Sequence, residues 1–252
     1  MITDSGAPTK LYEHPWRDAP DGIAANFALA DLINNLPRKM MLDGRVHAET
    51  LLAASGAIAG YAAQRALLGP MAAQDINEAN GFHFVRTTSG GLFIYGQPLD
   101  NALLPTTAVD HQKLWPLAAG AAIMSGLDQN AVPAVAPMFA HVAQTLGSPR
   151  EGTTSLNGVE FQLHPRDLLK ALWPFALMCF NGELSAEVLN PRVTVSQRWR
   201  PIIAAIAANR MIRDTASTVP PLKALTIVME TAIYTSKLAP PMVEEPARPL
   251  NA

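Results

Sequence analysis

The chain has 252 residues, with 19 Lys and Arg against 21 Asp and Glu for a formal net charge of −2, and it is 49% hydrophobic but only 16% charged. A charged fraction well under the roughly 25% of an average soluble domain argues against disorder and a polyelectrolyte role, so neither nucleic acid nor a membrane surface is expected as a partner. The single cysteine, Cys179, excludes an internal disulfide, a CxxC redox pair and a thiolate zinc site.

Residues 1–21 carry Pro8, Pro15 and Pro20 and no apolar run, so they are expected to form a flexible arm and lack the pattern of a secretory signal. Together with the lone cysteine, this points to a reducing, cytoplasmic setting. Leu29, Leu32, Ile33 and Leu36 then recur at the spacing of a helix with one buried stripe, capped by Asp21 and stopped by Pro37. Residues 44–68 hold only Arg45, Glu49 and Arg65 as full charges, and a helix apolar on every side belongs in the middle of a fold. Gly56 and Gly60 inside it each cost about 1 kcal/mol relative to alanine. Close approach of a neighbouring backbone to the small surface of Ser55, Gly56, Ala59 and Gly60 would offset that cost.

Aromatic and β-branched residues at 82–86 and 92–95 flank Gly90-Gly91 and read as a β-hairpin, with apolar residues on both faces that predict cover on both. A second hairpin is predicted around Asn157-Gly158, pairing 153–156 with 159–163. Helices are predicted over 110–125, 133–146, 165–180, 197–214 and 221–237; the third opens at His164-Pro165, kinks at Pro174 and closes at Asn181-Gly182. Residues 239–252 form a Pro-rich tail expected to be flexible. The fold class expected is mainly α, with α+β at the margin: a bundle of about eight helices filling 22–238 as one globular domain, with one or two small β-hairpins packed against it. The longest uncharged apolar windows, 116–127 and 171–180, fall short of the roughly 20 residues of a bilayer span, so no membrane crossing is expected.

Few residues carry recognisable chemistry. His47-Ala48-Glu49 has the HxE half of the zinc deaminase signature, but no PCxxC segment supplies the thiolates, and a helix first turn also favours Glu49. Asp110-His111 is adjacent in sequence and reads as an N-cap followed by a first-turn residue. His83 and Arg86 point to opposite faces of the predicted hairpin, where both need polar partners or water. The scattered histidines lack HxxxH or HExxH spacing, so no metal site is expected, and no GxSxG elbow, phosphate loop or other motif assigns a cofactor. Arg192, Arg198, Arg200, Arg210 and Arg213 form the main cationic stretch, where arginine forks suit an anionic ligand and Trp199 offers a stacking face. Cys179, between Met178 and Phe180, reads as an inert core thiol.

The function expected is non-enzymatic: binding of a small apolar or anionic ligand, or of a second copy as a homodimer, through the Ala/Gly-rich helix and the aromatic hairpin. The competing expectation is a hydrolase or lyase of a small anionic substrate. It would use His47, Glu49, His83 or His111 as acid–base or metal groups, with Arg86, Arg198 and Arg200 on the anion, and it requires one shared pocket.

Overall fold

The computed structural model describes residues 14–88, 90–107, 110–185 and 193–244. Among them are nine α-helices and two two-stranded antiparallel sheets, a mainly α architecture as expected. The centre is α2 (Ala48–Leu68), where every residue over 50–64 is buried. Its nearest neighbour is α8 (Pro221–Thr235), itself buried over 224–235. A Cβ at Gly56 would stand 3.0 Å from the Cα of Val228, and one at Gly60 would stand 2.6 Å from the Cα of Ala232. The expected close approach is therefore present, and Thr235 Oγ1 seals it by donating to the Ala57 carbonyl at 3.1 Å.

Around this pair stand α1 (Gly22–Lys39), α4 (Leu114–Met124), α5 (Ala136–Thr145), α6 (Pro165–Phe180) and α7 (Arg200–Asp214), with α3 (Gln97–Leu103) laid against α2 and the short α9 (Pro241–Glu244) against α6. Helix α1 runs through Pro37 to Lys39, because a proline this near the end forfeits one donor while Arg38 and Lys39 complement the helix's negative terminus. Asp21 does not cap α1 with its side chain; its carboxylate accepts from Ser196 N at 2.8 Å and Trp199 Nε1 at 3.1 Å instead.

Packing extends past both predicted limits of the globular body. Trp16 is fully buried and donates its indole N–H to Asn26 Oδ1 at 2.8 Å. Glu244 accepts from Tyr61 Oη at 2.8 Å and pairs with Arg65 at 3.0 Å. The rest of the predicted arm and tail, 1–13 and 245–252, lies outside the described residues.

The first predicted hairpin forms between β3 (His83–Arg86) and β4 (Leu92–Tyr95), with His83 opposite Tyr95. It is not covered on both sides. Segment 237–239 takes the far edge of β4, where Ile94 N donates to Lys237 O at 2.7 Å and Ala239 N donates to Leu92 O at 3.0 Å. That leaves β3 as the outer edge, with Phe84 54% and Val85 40% exposed.

The second sheet is not the predicted one. It pairs β1 (Met41–Leu42) with β2 (Arg45–Val46) around Asp43 and Gly44, at φ +50° and +74°. Over 153–163 no strand forms, because helix side chains take the backbone groups that a ladder would use. Ser155 N and Oγ donate to Glu230 at 2.7 and 2.6 Å, Gln162 N donates to Thr50 Oγ1 at 3.1 Å, and Lys223 Nζ donates to Gly158 O at 3.3 Å. The segment is a strap tied across α2 and α8.

Burial pushes the Glu230 carboxyl up from its ordinary value, outweighing the opposing pull of the Ser155 donors and of nearby His141. An acid whose folded pKa is raised takes its proton first in the folded state, so stability rises as pH falls through that pKa toward the unfolded value of about 4.5. Urea unfolding is expected to show the wild type gaining on Glu230→Gln as the buffer is taken from neutral to mildly acidic; a constant difference would contradict this. Asp21 acts in a separate window below 3.8: burial raises its pKa, but the Ser196 and Trp199 hydrogen bonds prevail and lower it, so its contribution is lost only in stronger acid.

Candidate functional site

Gly56 and Gly60 let α8 approach α2 on one side, and alanines leave a shallow wall on another. Ala59, Ala63, Ala66 and Leu67 of α2 face Pro98, Asn101 and Ala102 of α3, and the gap is bordered by Thr106, Asp110, Gln112 and Lys113 ahead of α4, by Leu114 at its start, and by Arg198, Pro201 and Ile202 around the start of α7. The cavity is open to solvent on one side and measures about 540 Å³. Its lining is mostly apolar; Asn101 and Thr106 come from α3 and the loop after it, and the charged Asp110, Lys113 and Arg198 come from just ahead of α4 and α7, neither of which has a side-chain cap. Arg198 lies with its guanidinium 4.4 Å from the Trp199 ring. Among the described residues, neither Arg198 nor Lys113 has a carboxylate partner, and Asp110 is the sole acid in the lining.

The structure separates most of the sequence candidates. His47 caps α2, with Nδ1 2.7 Å from Thr50 Oγ1 and accepting from Thr50 N at 3.3 Å; Glu49 pairs with Lys223 at 2.5 Å. Both sit at the N-terminal end of α2. His83 is exposed, 3.7 Å from Glu78, at the start of a hairpin whose Phe82 packs with Leu68 at the other end of this 21-residue helix, about 30 Å away. His111 is exposed between two cavity residues, and Asp110 does not cap α4, which begins only after Lys113. The pocket shared by His47, Glu49 and His83 that acid–base chemistry would require is not formed.

Of the cationic candidates among the described residues, Arg198 alone lines this cavity. Trp199 turns inward to Asp21 and sets its ring edge against Trp16, with centroids 6.1 Å apart. Arg200 lies over Phe180 and donates from Nε to Val195 O at 3.3 Å, and burial lowers its pKa. Arg86 lines a second hollow of about 460 Å³ between the hairpin and α5. Arg210 pairs with Asp214 at 2.8 Å, and Arg192 lies outside the described residues. Cys179 is buried, and burial pushes its thiol up to about 12, consistent with an inert core group.

The sequence reading missed Lys113, Asn101 and Thr106 as cavity residues, and α3 altogether. Pro98 just inside that helix start was the available signal. Among the described residues, no group of three His, Cys, Asp or Glu side chains is placed to hold a metal ion, and no helix is long and apolar enough to cross a membrane. No family model, curated protein or solved structure matches the chain.

Proposed function

We propose that this is a small-ligand-binding protein and that the cavity between α2, α3 and α7 is its binding site. The observation that carries this reading is a largely apolar 540 Å³ hollow whose two cations, Lys113 and Arg198, have no carboxylate partner among the described residues. The volume falls within the range of about 300 to 1,000 Å³ typical of small-molecule sites. The reading keeps the reducing, cytoplasmic setting that the lone buried Cys179 favours. A neutral fluorophore such as N-phenyl-1-naphthylamine is expected to bind saturably to the wild type. Ala66→Phe, which fills the hollow from a half-buried position, is expected to weaken that binding by about tenfold or more with the helical dichroism unchanged. Absence of saturable binding, or equal binding to the variant, counts against the site.

Self-association as a homodimer is the second reading, favoured by Phe84 and Val85 exposed on β3, the outer edge strand of its sheet. Native mass spectrometry showing only the 27.0 kDa species at micromolar concentration would remove it.

A further inference from the structure

Resting on the reading of this cavity as a binding site, we infer that its ligand is a monocarboxylate with an apolar body, the carboxylate seated between Arg198 and Lys113 and the body lying over Ala59, Ala63 and Leu67.

The charge balance is the first argument. The chain as a whole is slightly negative, yet this lining holds two cations and one acid. Three partly or fully buried cations elsewhere meet a carboxylate, Lys223 pairing with Glu49, Lys237 with Asp100 and Arg65 with Glu244, while Arg200 is held by the Val195 carbonyl. Half-buried Lys113 and exposed Arg198, at the mouth, have no ion-pair partner among the described residues, so both remain for an incoming anion.

Preorganisation is the second. The Arg198 guanidinium rests on the Trp199 ring, and Trp199 is itself fixed by its bond to Asp21, so one face of the guanidinium is occupied. Its in-plane donors remain for the two oxygens of a carboxylate. Lys113 stands at the uncapped start of α4 and Arg198 just ahead of the uncapped start of α7, so the positive ends of two helix dipoles add to the two side-chain charges.

Asp110 sets the upper limit on ligand charge. With it in the lining, the formal sum of the charged side chains is +1, enough to balance one carboxylate and not a phosphate dianion. Ala59, Ala63, Ala66, Leu67, Ala102 and Ile202 make most of the remaining lining apolar, which favours a hydrocarbon or aryl body, with Asn101, Thr106 and Gln112 as the other polar side chains there.

The test is displacement of N-phenyl-1-naphthylamine from the full chain at neutral pH by octanoate, octan-1-ol, octylamine and octyl phosphate. Octanoate is expected to displace at about tenfold lower concentration than the other three, the value of a single charge-assisted hydrogen bond. Arg198→Gln and Lys113→Gln are each expected to remove most of that advantage while leaving displacement by octanol, and the thermal midpoint, unchanged. Equal potency of octanol and octanoate, or an octanoate preference that survives both substitutions, overturns the carboxylate assignment while probe binding keeps the cavity as a site. A preference for octylamine would place the polar end on Asp110, and a preference for octyl phosphate would show that charge balance does not select; either overturns the inference. Failure of the probe to bind the wild type overturns the inference and the site together.

Discussion

Gly60→Ala is expected to destabilise the protein by about 3 kcal/mol or more, although alanine is the better helix former by about 1 kcal/mol. The added Cβ would stand 2.6 Å from both the Cα of Ala232 and Thr235 Oγ1, and backbone cannot swing aside as a flexible side chain can. Gly120 in α4 is the matched control, because a Cβ there meets nothing within 4 Å. Gly120→Ala is therefore expected to stabilise by about 0.5 to 1 kcal/mol through helix propensity alone. Urea titrations of the two variants separate the effects by sign. If Gly60→Ala is neutral or stabilising, the contact of α2 with α8 is looser than described.

The second large effect concerns a buried cation. The Lys237 side chain is only 2% exposed; it pairs with Asp100 and lies 5.5 Å from the Tyr95 ring centre and 5.7 Å from that of Phe139. Asp100→Asn leaves that ammonium without its counter-charge and is expected to cost about 3 kcal/mol, the lower end for a broken buried pair because Asp100 itself is partly open to water. Lys237→Met removes the charge together with its need for a partner, and is expected to cost less than 1.5 kcal/mol, roughly the limit for a volume-conserving exchange.

The pH dependence gives an independent check. Burial lowers the Lys237 pKa, and Asp100 opposes that by Coulombic attraction and a hydrogen bond. Without Asp100 the folded-state value falls further. A lysine whose folded pKa is lowered contributes stability that rises with pH through that value, so the Asp100→Asn deficit is expected to shrink from neutral to alkaline buffer. A deficit independent of pH, or a larger loss for Lys237→Met than for Asp100→Asn, would argue that the pair is not where the energy lies.

What the sequence revealed follows from how local each signal is. Helix α6 opens and closes where His164-Pro165 and Asn181-Gly182 place its ends, and α2 buries all its faces as its near absence of charge requires. Both signals lie within the element itself. The alternation at 153–163 was equally clear and misled, because Glu230 and Thr50, which take the backbone donors of the strap, come from 75 and 112 residues away. The β1–β2 hairpin was invisible for the opposite reason: two-residue strands offer too little alternation to register.

The site divides in the same way. Arg198 was legible as a cation beside an indole. Its neighbours Trp199 and Arg200 were read with it but turn inward, since they are the N-cap and first residue of α7, where too little of the helix precedes them for a period to mark their faces. Lys113 and Asn101 lie on separate segments that only the packing of α3 and α4 against α2 and α7 brings together.

Gln64 donates to the carbonyls of Ser236 and Leu238, 172 and 174 residues further along, so the central helix finds its main partner only late in translation. At about 5 to 20 residues per second, α2 leaves the ribosome roughly 10 to 30 s before α8. Through that interval α3, α6 and α7 emerge to cover other faces of α2, but the face that α8 takes stays bare, which makes the nascent chain a natural client for chaperones that hold apolar segments until synthesis catches up.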